Sequence, residues 1–131
     1  MIGLDTNVIV RYITQDDVGQ AKKASTLIEA LSPENPGYIT VIVLVELVWV
    51  LQGAYQASRE QLLQVLETLL RNRELIIEES DAVWQALRAF SASKADFADC
   101  MIASLASAAG CEFVATFDKN AAKLAGMKLV G

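Results

Sequence analysis

The chain has 131 residues, of which 53% are hydrophobic and 21% are charged, and its net charge is −5. This composition argues against a disordered chain, and the length predicts a single domain covering residues 1–131. The complete absence of histidine excludes Ser-His-Asp and Cys-His catalysis and histidine-ligated zinc.

Strand and helix signals alternate from end to end, which predicts an α/β fold built on a parallel sheet. In chain order the predicted elements are a strand at 2–4, helices at 7–14 and 19–31, a strand at 38–39, helices at 40–51 and 58–72, a strand at 75–78, helices at 81–92 and 96–109, a strand at 113–116, a helix at 119–124 and a strand at 127–130. Both prolines fall in the loop at 32–37. No repeat, linker or low-complexity segment interrupts this pattern.

Segment 40–51 is the ambiguous one. Its β-branched residues favour a strand, but a mostly apolar segment of about twelve residues is long for a strand. Thr40 could cap a helix and Gly53 could end it, so we predict a helix. Farther along, Ser58-Arg59-Glu60-Gln61 fits a capping box that opens the next helix.

The sequence also gives expectations for the cysteines and the compartment. Cys100 and Cys111 lie among apolar or small residues, so we expect buried, reduced thiols. The chain reaches Asp5 at once, so we expect no secretion signal. Residues 38–58 could be mistaken for a membrane span, but the charge of Glu46 favours a buried core helix. We therefore expect a cytoplasmic protein.

Acidic residues in apolar surroundings are the most informative feature of the sequence. They are Asp5, Glu46, Asp99 and Asp118. Acids are rarely buried unless they are paired or bound to metal, and the first and last of these follow predicted strands, where parallel sheets place ligand chemistry. Carboxylates suit Mg²⁺ and Mn²⁺, and two such ions can hydrolyse a phosphodiester without histidine. The pattern therefore predicts one divalent-metal site, whose ions could offset the negative charge of the chain when it binds nucleic acid.

Each acid also has a structural alternative. Asp5 could act only as a helix cap, and Glu46 could pair with Arg11 or Lys94. For Asp96, which begins the predicted helix at 96–109, a cap is the favoured role. Asp118 could be a turn residue between a strand and a helix.

Four segments together resemble the PIN domain family, most closely the VapC-type toxin ribonucleases of toxin–antitoxin pairs. They are IGLDTNVIVRYI, VLVELVWVL with its glutamate expected to be buried, ADFADCMIASLA and VATFDKNAAKL, in the family's order over nearly the whole chain. The resemblance implies a three-layer α/β/α fold with a central, mostly parallel sheet of four to five strands. It makes the four acids the catalytic and metal-binding quartet. Asn7 and Thr116 become supporting polar residues, and the role of Asp96 stays open.

This resemblance implies an endoribonuclease that depends on Mg²⁺ or Mn²⁺ and cuts single-stranded or loop RNA. It also implies a homodimer that a cognate antitoxin protein silences. The basic side chains near the acids could contact phosphates or could be solvated surface charges; they are Arg11, Lys94, Lys119 and Lys123.

Three other functions compete with this interpretation. A haloacid-dehalogenase-like phosphatase needs a second aspartate where Asn7 stands, and a receiver domain needs a phosphoacceptor aspartate in mid-chain, where residues 18–80 contain none. A PIN-fold protein without cleavage activity, acting as a binding or assembly module, is the remaining alternative. The presence of all four acids argues against it.

Overall fold

The structure is a computed structural model that describes residues 1–131. The chain forms two compact units, Met1–Glu78 and Glu79–Gly131, which we describe separately as unit 1 and unit 2. None of the helices combines the length and the apolar character that crossing a membrane would require.

Unit 1 has a parallel sheet of three short strands, in the order β1-β2-β3, together with four helices. The strand pairing places Ile2 beside Gly37 and Ile39 beside Ile77. In chain order the elements are β1 (Ile2–Gly3), α1 (Thr6–Thr14), α2 (Val18–Glu29), β2 (Gly37–Ile39), α3 (Val41–Ala54), α4 (Arg59–Arg71) and β3 (Leu75–Ile77).

Side chains hold the first turns of these helices and explain where each helix begins. The Thr40 hydroxyl accepts a hydrogen bond from the Val43 N–H at 3.2 Å, so the ambiguous segment is a helix, as predicted. Ser58 and Gln61 form the predicted capping box at α4. The prediction that Gly53 ends α3 was wrong: the helix runs through Gly53 to Ala54 and is followed by Tyr55.

Gly37 is the most closely surrounded glycine of unit 1. A Cβ atom at this residue would stand 2.9 Å from Cδ1 of both Leu4 and Leu31 and 3.0 Å from Cδ2 of Leu75. Real carbon contacts are not this short, so β2 can pass between these leucines only because residue 37 has no side chain.

Unit 2 contains three helices and a pair of parallel strands. Ala115 pairs with Lys128, and Thr116 pairs with Leu129. The elements are α5 (Ser80–Ala92), α6 (Phe97–Ala108), β4 (Ala115–Thr116), α7 (Lys119–Leu124) and β5 (Lys128–Leu129).

The α/β class and the parallel pairing are confirmed, but a single sheet of four to five strands is not what the structure has. Five strands occur, and they divide into a sheet of three and a sheet of two. Alternating strand and helix signals predict parallel neighbours but carry no information on which strands share hydrogen bonds. Residues 113–114, predicted as the start of a strand, precede the β4 ladder, and the Phe113 ring lies 4.6 Å from the Lys128 ammonium.

The core of unit 2 lies where α5 packs against α6. The rings of Phe90 and Phe97 meet edge to face, with centroids 5.6 Å apart. The buried Ser104 hydroxyl on α6 donates to the Ala82 carbonyl on α5, so a polar group in this core is satisfied. Cys100 is buried, as expected, but Cys111 is exposed because α6 ends at Ala108 and residue 111 follows the turn at Gly110.

Candidate acidic site

Asp5 lies just beyond β1 and caps helix α1. One carboxylate oxygen, Oδ1, accepts a hydrogen bond from the Thr6 N–H at 2.8 Å. The other oxygen makes no hydrogen bond in the protein, and the residue is exposed. Because a carboxylate has two oxygens, capping leaves Asp5 able to bind a cation as well.

Glu46 is exposed, contrary to the expectation that its apolar surroundings bury it. Helix α3 is apolar on all sides but packs with only one of them, which carries the buried residues Val41, Leu44, Leu47, Val48 and Leu51. Glu46 shares the opposite side with Ile42 and Trp49, which are 78% and 75% exposed. Because both sides of this helix are mostly apolar, its residue pattern does not show which side is exposed.

Asp5 and Glu46 line the same open pocket in unit 1, which has a volume of about 400 Å³ and is called here the acidic pocket. Its other polar lining residues include Thr6, Asn7 and Arg11. Thr6 is 5% exposed, and its hydroxyl has no hydrogen-bond partner. Leaving a buried hydroxyl without a partner costs about 1–3 kcal/mol, so this residue is a local weakness beside the two acids.

Arg11 does not pair with Glu46 but with Asp16, at 3.2 Å. The same guanidinium donates to the Tyr55 hydroxyl at 3.2 Å and to the Gln20 amide oxygen at 2.7 Å. Asp16 also accepts hydrogen bonds from Tyr55 at 2.6 Å and from Thr14 at 2.8 Å. We refer to these five residues as the Asp16 cluster.

Electrostatics within the Asp16 cluster favours the charged forms. The Tyr55 hydroxyl, followed by Thr14 and the Arg11 charge, lowers the pKa of the Asp16 carboxyl below its ordinary value. The hydrogen bond with Tyr55 and the charge of Asp16 raise the pKa of Arg11. Sequence reasoning missed this cluster, because Tyr55 lies 39 positions from Asp16 and no local pattern connects them.

Unit 2 contains three further acids: Asp96 and Asp99 lie at the start of α6, and Asp118 lies at the start of α7. Asp96 caps α6 by accepting from the Ala98 N–H at 3.4 Å, in agreement with the favoured prediction. Asp99, one turn farther along, is partly buried, and its carboxylate takes part in no hydrogen bond or ion pair. Burial raises the pKa of the Asp99 carboxyl, and the charges of Asp96 and Asp118 raise it further.

Asp118 caps the short helix α7 with one oxygen. Its Oδ1 accepts from the Asn120 N–H at 2.8 Å and from the Ala121 N–H at 3.2 Å. The Thr116 hydroxyl accepts from the Asp118 N–H at 3.0 Å, so it fixes the backbone just before the cap. As at Asp5, the second carboxylate oxygen makes no hydrogen bond in the protein.

Each unit therefore brings part of the predicted quartet together. Asp5 and Glu46 line one pocket of unit 1, whereas Asp99 and Asp118 interact electrostatically within unit 2. Neither unit by itself gathers three acidic or cysteine side chains into a group that could hold a metal ion.

The chain resembles known proteins over nearly its whole length. The chain matches the PIN domain family over residues 2–127. It is also similar to a protein of Aquifex aeolicus (strain VF5) described as a VapC ribonuclease, with 28% identity over 131 residues. That alignment covers 97% of this chain and 93% of the relative.

Proposed function

Because the chain belongs to the PIN domain family, we propose that it is a divalent-metal-dependent endoribonuclease that hydrolyses RNA phosphodiester bonds. We further propose that it is the toxin of a VapBC-type toxin–antitoxin pair. A relative described as a ribonuclease aligns over nearly the full length of both chains, which supports RNA as the substrate.

The observation that carries the proposal is the environment of Asp99. This carboxylate is partly buried, has no hydrogen-bond donor or cation beside it, and lies in the field of Asp96 and Asp118. A folded protein keeps such an uncompensated charge at a cost in stability, which is common at functional sites and unusual elsewhere. A bound divalent cation would offset that charge, so the local chemistry fits a metal ligand.

We propose Asp5 and Glu46 in unit 1, and Asp99 and Asp118 in unit 2, as metal ligands. All are oxygen donors, which suits Mg²⁺ or Mn²⁺, and Asp5 and Asp118 each retain an oxygen that capping does not use. A metal ion held by such carboxylates would supply a more acidic attacking water and stabilise charge on the leaving oxygen.

Other residues of the chain have positioning roles in this proposal. The Thr6 N–H and the Thr116 hydroxyl fix the orientation of Asp5 and the backbone of Asp118, respectively. Asn7 supplies an amide on the acidic pocket, and Asp96 adds negative charge near Asp99. Asn7, Thr116 and Asp96 are therefore supporting residues, and we expect their loss to reduce cleavage less than loss of a ligand.

Cleavage of RNA by the purified chain tests this function. We expect products with Mg²⁺ or Mn²⁺, none with excess EDTA, and none from the Asp5→Asn variant. Cleavage by wild type that persists in EDTA, or full activity in Asp5→Asn, would contradict the metal site. RNA binding without cleavage would instead favour the alternative of a PIN-fold binding or assembly module.

We also propose that the protein is a homodimer with a cognate antitoxin as its second partner. Ile42 and Trp49 are large apolar side chains exposed on the side of α3 that also carries Glu46, and covering them by a second copy of the chain would remove apolar surface from water. Light scattering at tens of micromolar should give the mass of a dimer for wild type and of a monomer for Trp49→Arg. A wild-type monomer would refute the dimer without affecting the proposed activity.

The antitoxin has a separate test. We expect the neighbouring reading frame to encode a small protein that, when purified and added, stops RNA cleavage. If the neighbouring protein leaves cleavage unchanged, the proposal that the chain is a toxin fails, whereas the proposal that it is a nuclease is unaffected.

A further inference from the structure

A second pocket of unit 1, of about 280 Å³, adjoins the acidic pocket. Its polar lining residues are Asn7, Arg11, Gln20 and Lys23, and we call it the basic pocket. Asn7 and Arg11 line both pockets, so the two cavities lie next to each other on either side of these side chains. The acidic pocket is lined by two carboxylates and one cation, Arg11, whereas the basic pocket is lined by two cations, Arg11 and Lys23, and by no acid. Arg11 is paired with Asp16, which lines neither pocket, so Lys23 is the unpaired cation of the basic pocket.

Arg11 is held in a way that leaves part of its guanidinium available. Its Nε donates to Gln20, and its Nη1 donates to Asp16 and to Tyr55. Its Nη2 makes no hydrogen bond in the protein, so two N–H groups remain unused. Because the Asp16 cluster already restrains the side chain, little rotamer entropy remains to be lost when an anion binds.

The other polar groups of the basic pocket are also unused. Lys23, in α2, is exposed and forms no ion pair. The Asn7 side chain, in α1, makes no hydrogen bond in the protein. A lysine, an amide and the free edge of a guanidinium are the groups that proteins use to bind nucleic-acid phosphates.

We propose that the basic pocket binds an RNA phosphate next to the bond that is cleaved, with Lys23 and Arg11 as its contacts. This inference rests on the proposed function, since it takes Asp5 and Glu46 to mark the cleavage site. Asn7 then contacts the sugar–phosphate backbone where it passes from one pocket to the other. The substrate must accordingly extend at least one phosphate beyond the cleaved bond on the side of Lys23. Asp16 and Tyr55 are positioning residues, because they hold Arg11 without touching the RNA.

Two neighbouring lysines provide a matched test. Lys22 precedes Lys23 in α2 and is also exposed, but it lines neither pocket. Lys22→Ala and Lys23→Ala therefore make the same change in net charge at adjacent positions. Cleavage of a fluorescent single-stranded RNA, measured as kcat and KM at several salt concentrations, compares them.

For Lys23→Ala we expect KM to rise roughly tenfold, with the loss falling on KM rather than on kcat. The slope of log KM against log salt concentration should fall by about 0.7, because one phosphate contact is lost on a single strand. Lys22→Ala should change KM by less than about twofold. Equal changes in the two variants, or no change in either, would overturn the proposal.

Two further variants separate the role of Arg11 from that of net charge. Arg11→Lys keeps the charge but loses the two-pronged guanidinium, so we expect KM to rise in this variant too. Tyr55→Phe should raise KM less, since it only loosens the Arg11 side chain. An Arg11→Lys variant with wild-type KM would remove Arg11 from the phosphate site.

Binding measured without cleavage keeps this inference distinct from the proposed activity. Anisotropy of a labelled single-stranded RNA with the Asp5→Asn variant in EDTA should show weaker binding after Lys23→Ala and not after Lys22→Ala. If wild type cleaves RNA but the Lys22→Ala and Lys23→Ala binding curves coincide, the proposed phosphate site is refuted and the proposed cleavage activity is not. If wild type neither binds nor cleaves RNA, both proposals fail.

Discussion

Two aspartates of this protein have opposite surroundings. Asp16 accepts hydrogen bonds from Tyr55, Thr14 and Arg11, and its pKa is lowered. Asp99 has no such partner, and burial and neighbouring negative charges raise its pKa. The first carboxylate is favoured in its charged form by the fold, whereas the second is disfavoured. The comparison teaches that an acid's partners, rather than its type, separate a structural charge from a candidate functional one.

Substitution of Asp99 and of Asp16 should differ most in its effect on cleavage activity. We expect Asp99→Asn to lower kcat by on the order of 10²–10³, because it removes a charged ligand that acts in the transition state. Asp16→Asn should change kcat only a few-fold and act mainly on KM, through Arg11. Asp96→Asn is a further control within α6, for which we expect a loss below about tenfold. Similar losses of kcat in Asp16→Asn and Asp99→Asn would show that the two aspartates do not differ in their roles in cleavage.

Stabilisation of the folded protein by metal ions should depend on Asp99 and not on Asp16. For wild type we expect Mg²⁺ or Mn²⁺ to raise Tm progressively, by roughly 2.7 kcal/mol in free energy at one hundred times Kd. Asp16→Asn should keep this response and Asp99→Asn should lose most of it. Thermal melts over a metal titration measure both. A wild-type Tm that does not change with metal would mean that the acids bind none.

Loss of the Tyr55 hydroxyl should destabilise the Asp16 cluster. Tyr55 is the largest cause of the lowered Asp16 pKa, so it contributes stability at pH 7 that disappears as the pH falls through that lowered pKa. We expect Tyr55→Phe to lower Tm by a few degrees at pH 7 and by less below about pH 4. Tyr12→Phe, which alters an exposed tyrosine outside the cluster, is the control. Equal effects of the two substitutions would show that the hydrogen bond contributes nothing.

The smallest expected effect concerns Asp99 in the absence of metal. Since its pKa is raised in the folded state, the ionised form lowers stability at pH 7, and this loss disappears as the pH falls through the folded pKa. In EDTA, Asp99→Asn should therefore be more stable than wild type by at most about 1 kcal/mol, because partial solvation screens the repulsion. The difference should vanish in acid. A less stable variant would point to a structural ion pair at Asp99.

Local rules were sufficient to predict most of the secondary structure. Thr40, Ser58 and Asp96 are caps that can be recognised from a few neighbouring residues, and the structure places a helix after each. Strand pairing depends on contacts between distant segments, so the division of five strands into two sheets could not be predicted from the alternation of elements.

The sequence predicted only part of the candidate site, again because contacts between distant segments leave no local pattern. Asp5, Glu46, Asp99 and Asp118 could be named from their neighbours, but the side of α3 that carries Glu46 could not be identified as exposed in a helix that is apolar all round. The Arg11–Tyr55 contact joins residues 44 positions apart, and only folding reveals it.

Asp5 and Asp118 each cap the first turn of a helix, and this role limits which substitutions evolution can accept at the two positions. Asparagine caps a helix about as well as aspartate, whereas alanine in its place costs about 1 kcal/mol. A lineage released from selection for cleavage would therefore still be under selection for folding at these two positions. Asparagine is the substitution that such a lineage could accept first, since it removes the charge and keeps the helix. Relatives that carry asparagine at both positions would be the natural place to seek descendants that fold but no longer cut.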